Sequence, residues 1–340
     1  MRKGVWLVFL VLGVSAMAGG LREQASSSGL AAIPANKNEM MKLISNQENL
    51  LTRDKIDLGK TLYFDPRLSK SGLISCNTCH NLGLGGADGV PAAVGDHWAH
   101  NPHHLNSPTV YNAVFHQVQM WDGRFADLEE QAGGPMMSAP EMASTEELVV
   151  GRIASIPGYQ EVFKKAFPDE EEAVTFVNIR KAIAAFERTL ITPSRFDTYM
   201  LGDNKALSAA EIRGLSAFVE KGCATCHNGV ALGGGMQPFP LVKPYAFADL
   251  GDFKGNKDGL VKVPTLRNVT ETAPYFHNGA VWGLADAVKI MGETQLGVTL
   301  SKGEINDIVA FLGSLEGQKP QMNYPMLPAS SETTPKPVTR

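Results

Sequence analysis

The chain has 340 residues, enough for two domains of ordinary size, each with its own core. Lys and Arg number 31 against 35 Asp and Glu, a formal charge of −4, and no basic patch suited to nucleic acid is present. Beyond the N-terminus no stretch approaches the 18 apolar residues of a membrane span.

The first residues predict a secretory signal. Arg2 and Lys3 precede an apolar run over 5–14, and Ala16-Met17-Ala18 supplies a small-residue cleavage site after Ala18. The expected location is the periplasm, and loss of Arg2 and Lys3 takes the formal charge to −6. Residues 19–38 are rich in Ser, Ala and Gly and predict a mobile leader. From Glu39 the pattern is helical, and 52–64 carries apolar Ile56, Leu58, Leu62 and Tyr63 before stopping at Asp65-Pro66.

Next comes Cys76-Asn77-Thr78-Cys79-His80. Two cysteines two residues apart can add to the two vinyl groups of one porphyrin, and the adjacent histidine then lies under the iron as its axial ligand. A second copy, Cys223-Ala224-Thr225-Cys226-His227, uses the remaining two of the four cysteines, so no thiol is left for a disulfide. The pair predicts a dihaem c-type cytochrome with His80 and His227 as iron ligands. A bound sixth ligand favours electron transfer, whereas an open one admits a small oxidant, and an axial thioether raises the potential relative to bis-histidine.

After His80 a glycine-rich passage, 82–95, leads to a histidine-rich stretch over 97–104, a loop long enough to predict function. Residues 106–113 predict a helix that closes in a turn at 121–124, and further helices are expected over 127–132 and 144–155, the latter capped by Thr145. The acidic patch 169–172 reads as a solvated helix start. A strongly amphipathic helix over 174–190 follows, with Phe176, Ile179, Ile183, Phe186 and Leu190 on one face, ending at a domain junction near Thr192-Pro193. The first domain is thus assigned to 39–195 and the second to 196–317.

The second half repeats the plan. Ser208-Ala209-Ala210-Glu211 is a capping box opening a helix to Lys221. A Gly- and Pro-rich loop over 229–244 and irregular chain to Pro274 precede a short helix, 284–291, and a final one, 302–315. The tail from Gln318 is rich in Pro, Ser and Thr and is expected to be extended or disordered. The fold class is mostly α: two cytochrome c-like domains, each with one covalent haem c.

Several short segments carry a resemblance: Trp121-Asp122-Gly123-Arg124, Gln131-Ala132-Gly133-Gly134-Pro135, Glu141-Met142, 185–190, 274–279 and 291–297. Their content and order resemble the bacterial dihaem cytochrome c peroxidases over about residues 40–320. The resemblance implies reduction of hydrogen peroxide to water with electrons from a small periplasmic donor such as a cytochrome c. It implies Met291 as sixth ligand of the C-terminal, high-potential haem, Trp121 between the haems on the electron route, and Gln131 with Glu141 in the distal pocket at the N-terminal haem. A carboxylate suits that pocket because O–O heterolysis moves a proton between the two oxygens. It further implies an interdomain calcium ion held by Asn106 and by the backbone carbonyls of Thr272 and Pro274, a matching histidine at His277, and a homodimer.

One departure matters. The family places a removable histidine ligand of the N-terminal haem in a Gly-His-x-Trp pattern, where this chain reads Gly95-Asp96-His97-Trp98. Asp96 stands in the histidine's place. The sixth ligand is then His97 through a one-residue shift of the loop, another of His100, His103 and His104, or no protein group. The rival functions are a dihaem electron carrier without peroxidase activity and a related enzyme that oxidises a protein tryptophan. The latter carries a tyrosine where this chain has Met291.

Overall fold

A computed structural model describes residues 20–338. The predicted signal, including the cleavage site after Ala18, lies outside the described residues. Among those described, no helix is long and apolar enough to cross a membrane.

The molecule is built on two helix pairs, one per cytochrome-like half. In the first half, α3 (Arg53–Tyr63) packs on α8 (Phe176–Glu187), with Leu58, Leu62, Ile179, Ile183 and Phe186 buried between them. In the second, α10 (Ala209–Glu220) packs on α12 (Lys302–Gly313) through Leu215, Phe218, Ile308, Phe311 and Leu312. Each crossing is set by a glycine. A Cβ on Gly59 would lie 1.8 Å from the Ala182 carbonyl oxygen, and one on Gly214 would lie 1.8 Å from that of Asp307. Only the absence of a side chain lets the two backbones approach so closely.

Other elements attach to this frame. Helices α1 (residues 20–27) and α2 (Lys37–Ile44) precede α3, and the one-turn α4 (Cys76–Cys79) carries the first haem motif. Then follow α5 (Leu128–Met137), α6 (Glu146–Ala154) and α7 (Pro157–Ala166) in the first half. Helix α9 (Arg195–Met200) and α11 (Leu284–Gln295) belong to the second. Thr145 caps α6 through Leu148 N–H, and Ser208 with Glu211 forms the capping box of α10. Helix α7, with Pro157 at its first turn, has no counterpart in the sequence expectations. Residues 169–172 form an exposed loop, and α8 starts later, capped by Thr175. The irregular 229–274 passage contains a small hairpin, β1 (Met236–Pro238) antiparallel to β2 (Leu260–Lys262), with Met236 opposite Lys262.

Two expectations are corrected. The helix over 106–113 is replaced by extended chain and a 3₁₀ turn, Ala113–Phe115, because this backbone serves elsewhere. Val110 N–H bonds Gly86 O, Thr109 Oγ1 donates to Gly85 O at 2.7 Å, and the Pro108 carbonyl takes His80. The leader is ordered for most of its length. Leu21, Ala25 and Leu30 are buried in the core of the second half, and Ile33 N–H donates to Asp197 Oδ1 at 2.8 Å. Its composition reads as mobile, but full burial of each leucine contributes about 1.5–3 kcal/mol toward ordering it. The tail has no regular structure over 318–338 yet is docked on the first half: Tyr324 packs on Phe64 at 4.8 Å, and buried Arg152 donates to the carbonyls of Pro335 and Lys336.

The halves meet at Thr192, which is fully buried. Asn112 Nδ2 and Asn268 Nδ2 both donate to its Oγ1, at 2.7 and 2.8 Å. Both asparagines sit in the left-handed region, at φ 63° and 58°, where Asn is tolerated better than most residues. They hold equivalent turns of the two halves on one hydroxyl.

Candidate haem and peroxide site

The first cavity is lined by Cys76, Cys79, His80, Trp121, Gln131 and Glu141 among others. Ser75 and Thr78 form a reciprocal cap that starts the one-turn helix of the motif. The His80 ring is fixed from behind: its Nδ1 lies 2.8 Å from the Pro108 carbonyl, and Tyr63 OH donates to His80 O at 2.6 Å. With Nδ1–H so engaged, Nε2 is the free ligand atom, the arrangement that orients a metal-binding imidazole. Burial holds the ring below the usual histidine pKa, so it is neutral and able to ligate.

On the cavity wall, α5 presents Gln131 and the turn after it presents Glu141. Among the described residues, Glu141 Oε2 is buried without a hydrogen-bond partner. Burial raises the Glu141 pKa, against opposing effects of Ser138, Arg124 and His103. A second carboxyl, Glu187 at the end of α8, also lines this cavity with Oε2 unpartnered, and burial raises its pKa to about 8. Within the 185–190 segment it reads as a helix residue, and only the packing of α8 on α3 brings it to the cavity.

The second cavity gathers Cys223, Cys226, His227 and Met291. His227 repeats the arrangement of His80, with Nδ1 3.2 Å from Leu232 O and burial taking its pKa down to about 4. Met291 comes from α11, which runs on to Gln295 rather than ending at Met291. Helices α10, α11 and α12 supply the apolar lining, including Phe218, Leu284, Val288 and Ile308. None of the four cysteines is in a disulfide. Paired thiols beside a buried imidazole with a free Nε2, in a largely apolar cavity, fit a covalent haem in both places.

The two cavities share a wall. Asn106, Ser107, Pro108, Thr109, His116, Trp121 and Lys262 border both. Buried Trp121 donates from Nε1 to Asn106 O at 2.9 Å, and its carbonyl accepts from Lys262 N–H, which ties it to β2. His277 lines the second cavity, edge-on to Trp121 at 6.3 Å and surrounded by Phe239, Tyr245 and Phe253; burial lowers its pKa to about 4. Thr272 and Pro274 also border this cavity.

His97 lines neither cavity. Its side chain is 42% exposed and its Nδ1 pairs with Asp96 Oδ2 at 2.8 Å. Asp96 itself is buried and takes Ser71 N–H at 3.1 Å, while Gly95 lies so close to Pro140 that a Cβ would fall 2.0 Å from its carbonyl oxygen. The loop is thereby pinned with His97 facing outward. His103 is the histidine of the 97–104 stretch that lines the first cavity, paired through Nδ1 with Asp252 at 3.0 Å.

Comparison with known proteins agrees with this geometry. Residues 53–205 match the family model described as di-haem cytochrome c peroxidase, and residues 211–316 match that of cytochrome c. The cytochrome c551 peroxidase of Pseudomonas aeruginosa is 50% identical over 335 residues, covering 95% of this chain and 94% of that protein. The cytochrome c551 peroxidase of Nitrosomonas europaea is 47% identical over 291 residues, 83% of this chain and 86% of its own. Among solved structures, a MauG-like protein associated with microbial copper homeostasis superposes with a TM-score of 0.71 at 27% identity, covering 81% of this chain and 92% of that one. With two haem c sites built from its own CxxCH motifs, the chain belongs to the di-haem cytochrome c peroxidase family.

Proposed function

We propose that the protein reduces hydrogen peroxide to two waters in the periplasm, drawing two electrons from a small donor protein. The observation that carries the reading is Glu141 Oε2, a buried carboxylate oxygen without a partner in the cavity that also holds Cys76, Cys79 and His80. When bound, the haem irons supply electron storage and the centre at which peroxide is activated.

The residues do the rest. The His80 imidazole, held at Nδ1 by the Pro108 carbonyl, would hold the haem iron through Nε2. Glu141 takes the proton from the nearer peroxide oxygen and delivers it to the farther one, so that the O–O bond breaks heterolytically and the first water departs. Gln131, on the same wall, orients the peroxide. Two electrons and two further protons complete the balance of H₂O₂ + 2H⁺ + 2e⁻ to 2H₂O. Trp121, in the wall common to both cavities, is the natural path from the His227/Met291 side to the His80 side.

The finer parts of the reading have their own support. Calcium between the halves would be held by the Asn106 side chain and the carbonyls of Thr272 and Pro274. Those two carbonyls accept no hydrogen bond among the described residues, and the Asn106 amide nitrogen is occupied by Val90 O at 2.8 Å. Neutral oxygens of this kind suit calcium. A donor with a positive face, such as a small basic cytochrome c, complements the formal charge of −4. The signal read in residues 1–18 supports export, and the family resemblance supports a homodimer. Steady-state oxidation of reduced cytochrome c by peroxide tests the proposal. Turnover well above the uncatalysed rate is expected, and none after prereduction with calcium present would contradict it.

A further inference from the structure

In the wall between the cavities lies a cation with nothing to neutralise it. Lys262, on β2, is 3% exposed and borders both haem cavities. No carboxylate pairs with it among the described residues. Among the described residues its ammonium has one hydrogen-bond partner, His116 Nδ1 at 3.3 Å, to which it donates. His116 Nε2, on the far side of the same ring, is also buried without a partner, and it too borders both cavities. With Nδ1 accepting, the ring carries its proton on Nε2, so the wall presents an ammonium without a counter-charge and, across the imidazole from it, an N–H without a partner among the described residues.

A buried ammonium without a counter-charge is strongly unfavourable, and buried charges in proteins are paired or coordinated. Burial lowers the Lys262 pKa only to about 8, which leaves it charged at neutral pH. Its field reaches the first site, where it acts on the His80 ring. The missing anion must therefore come from what fills the cavities. Each haem c carries two propionate carboxylates, and these are the anionic groups available at a wall otherwise lined by Pro108, Thr109 and Trp121.

We propose that Lys262 and His116 form the anchor for haem propionate at the wall common to the two sites, neutralising carboxylate charge next to Trp121. Bordering both cavities, the pair would oppose the propionate charge and so raise the haem potentials. This rests on the two haem c sites and not on peroxide chemistry.

The test uses the holoprotein with the K262M and K262R variants. Redox titration is expected to show a lower midpoint potential for at least one haem in K262M and a return toward wild type in K262R. Resonance Raman propionate bending bands are expected to shift between H₂O and D₂O in the wild type and to lose that shift in K262M. Potentials and bands in K262M equal to wild type would overturn the proposal. Should K262M fail to retain haem, the wild-type bands decide: no solvent-isotope shift overturns it, whereas a shift that K262R retains supports it. Neither readout involves peroxide, so failure of the peroxidase reading would not be confused with failure here.

Discussion

At the scale of single residues, the site turns on carboxyls and imidazoles whose protonation is set by burial. Glu141 must be ionised to take a proton, and its folded pKa is raised, so its carboxylate form is lost as pH falls through that raised value. The acid limb of kcat/KM for peroxide should then lie above the value of about 4.3 for an ordinary glutamate, and E141Q should abolish the limb; a limb that persists unchanged in E141Q would assign it to another group. His97 gives the second test. Because it faces out and pairs with Asp96, low-temperature EPR of the oxidised H97A variant should match wild type. A low-spin signal that turns high-spin would instead make His97 the sixth ligand.

Residues also show what a sequence can reveal. The haem attachments were legible because the bond pattern is contained in five consecutive residues. Met291, Gln131, Glu141 and Trp121 stand out only through the resemblance, since nothing local to them specifies a cavity position, and the structure places all four on the cavity walls. Lys262, His116 and Glu187 were not, because each looks like an ordinary strand, loop or helix residue until folding removes its solvent and its partners. The loop outcome at Asp96 was illegible for the same reason: Ser71, 25 residues away, fixes where His97 points.

At the scale of elements, amphipathic helices with caps are legible, as at Thr145 and Ser208. The failures have one cause, which is backbone recruited by tertiary structure. Residues 106–113 have the caps of a helix, but their carbonyls and N–H groups hold the 85–86 turn and the His80 ring. The leader has the composition of a mobile segment, but it fills a groove on the second half. The glycine crossings predict a clear consequence. In G214A the new methyl would overlap the Asp307 carbonyl, so α10 and α12 must separate, costing at least about 1–3 kcal/mol. Denaturant or thermal unfolding of the holoprotein should show it, and an unchanged midpoint would mean the helices do not cross there.

At the scale of the whole molecule, the two halves are tied by Thr192, by the wall of Trp121 and Lys262, and by the tail strapped across the first half. Thr192 offers the cleanest probe, because T192V keeps shape and removes the hydroxyl that both Asn112 and Asn268 use. Two buried amide donors would be left unpaired, at about 1–3 kcal/mol each, so the variant should unfold at distinctly lower temperature. Wild-type stability in T192V would contradict the hub.

In the proposed reading the His227 cavity takes electrons and the His80 cavity spends them on peroxide, with Glu141 as the group that would make the His80 cavity an enzyme site rather than a carrier. The rapid-mixing rate of the prereduced, calcium-loaded protein with peroxide, for wild type beside E141Q, is the most direct measurement of that claim. The account predicts a bimolecular rate lower in E141Q by about 10²–10⁴-fold, with haem content and reduction by the donor unchanged. Equal rates in the two proteins would contradict it.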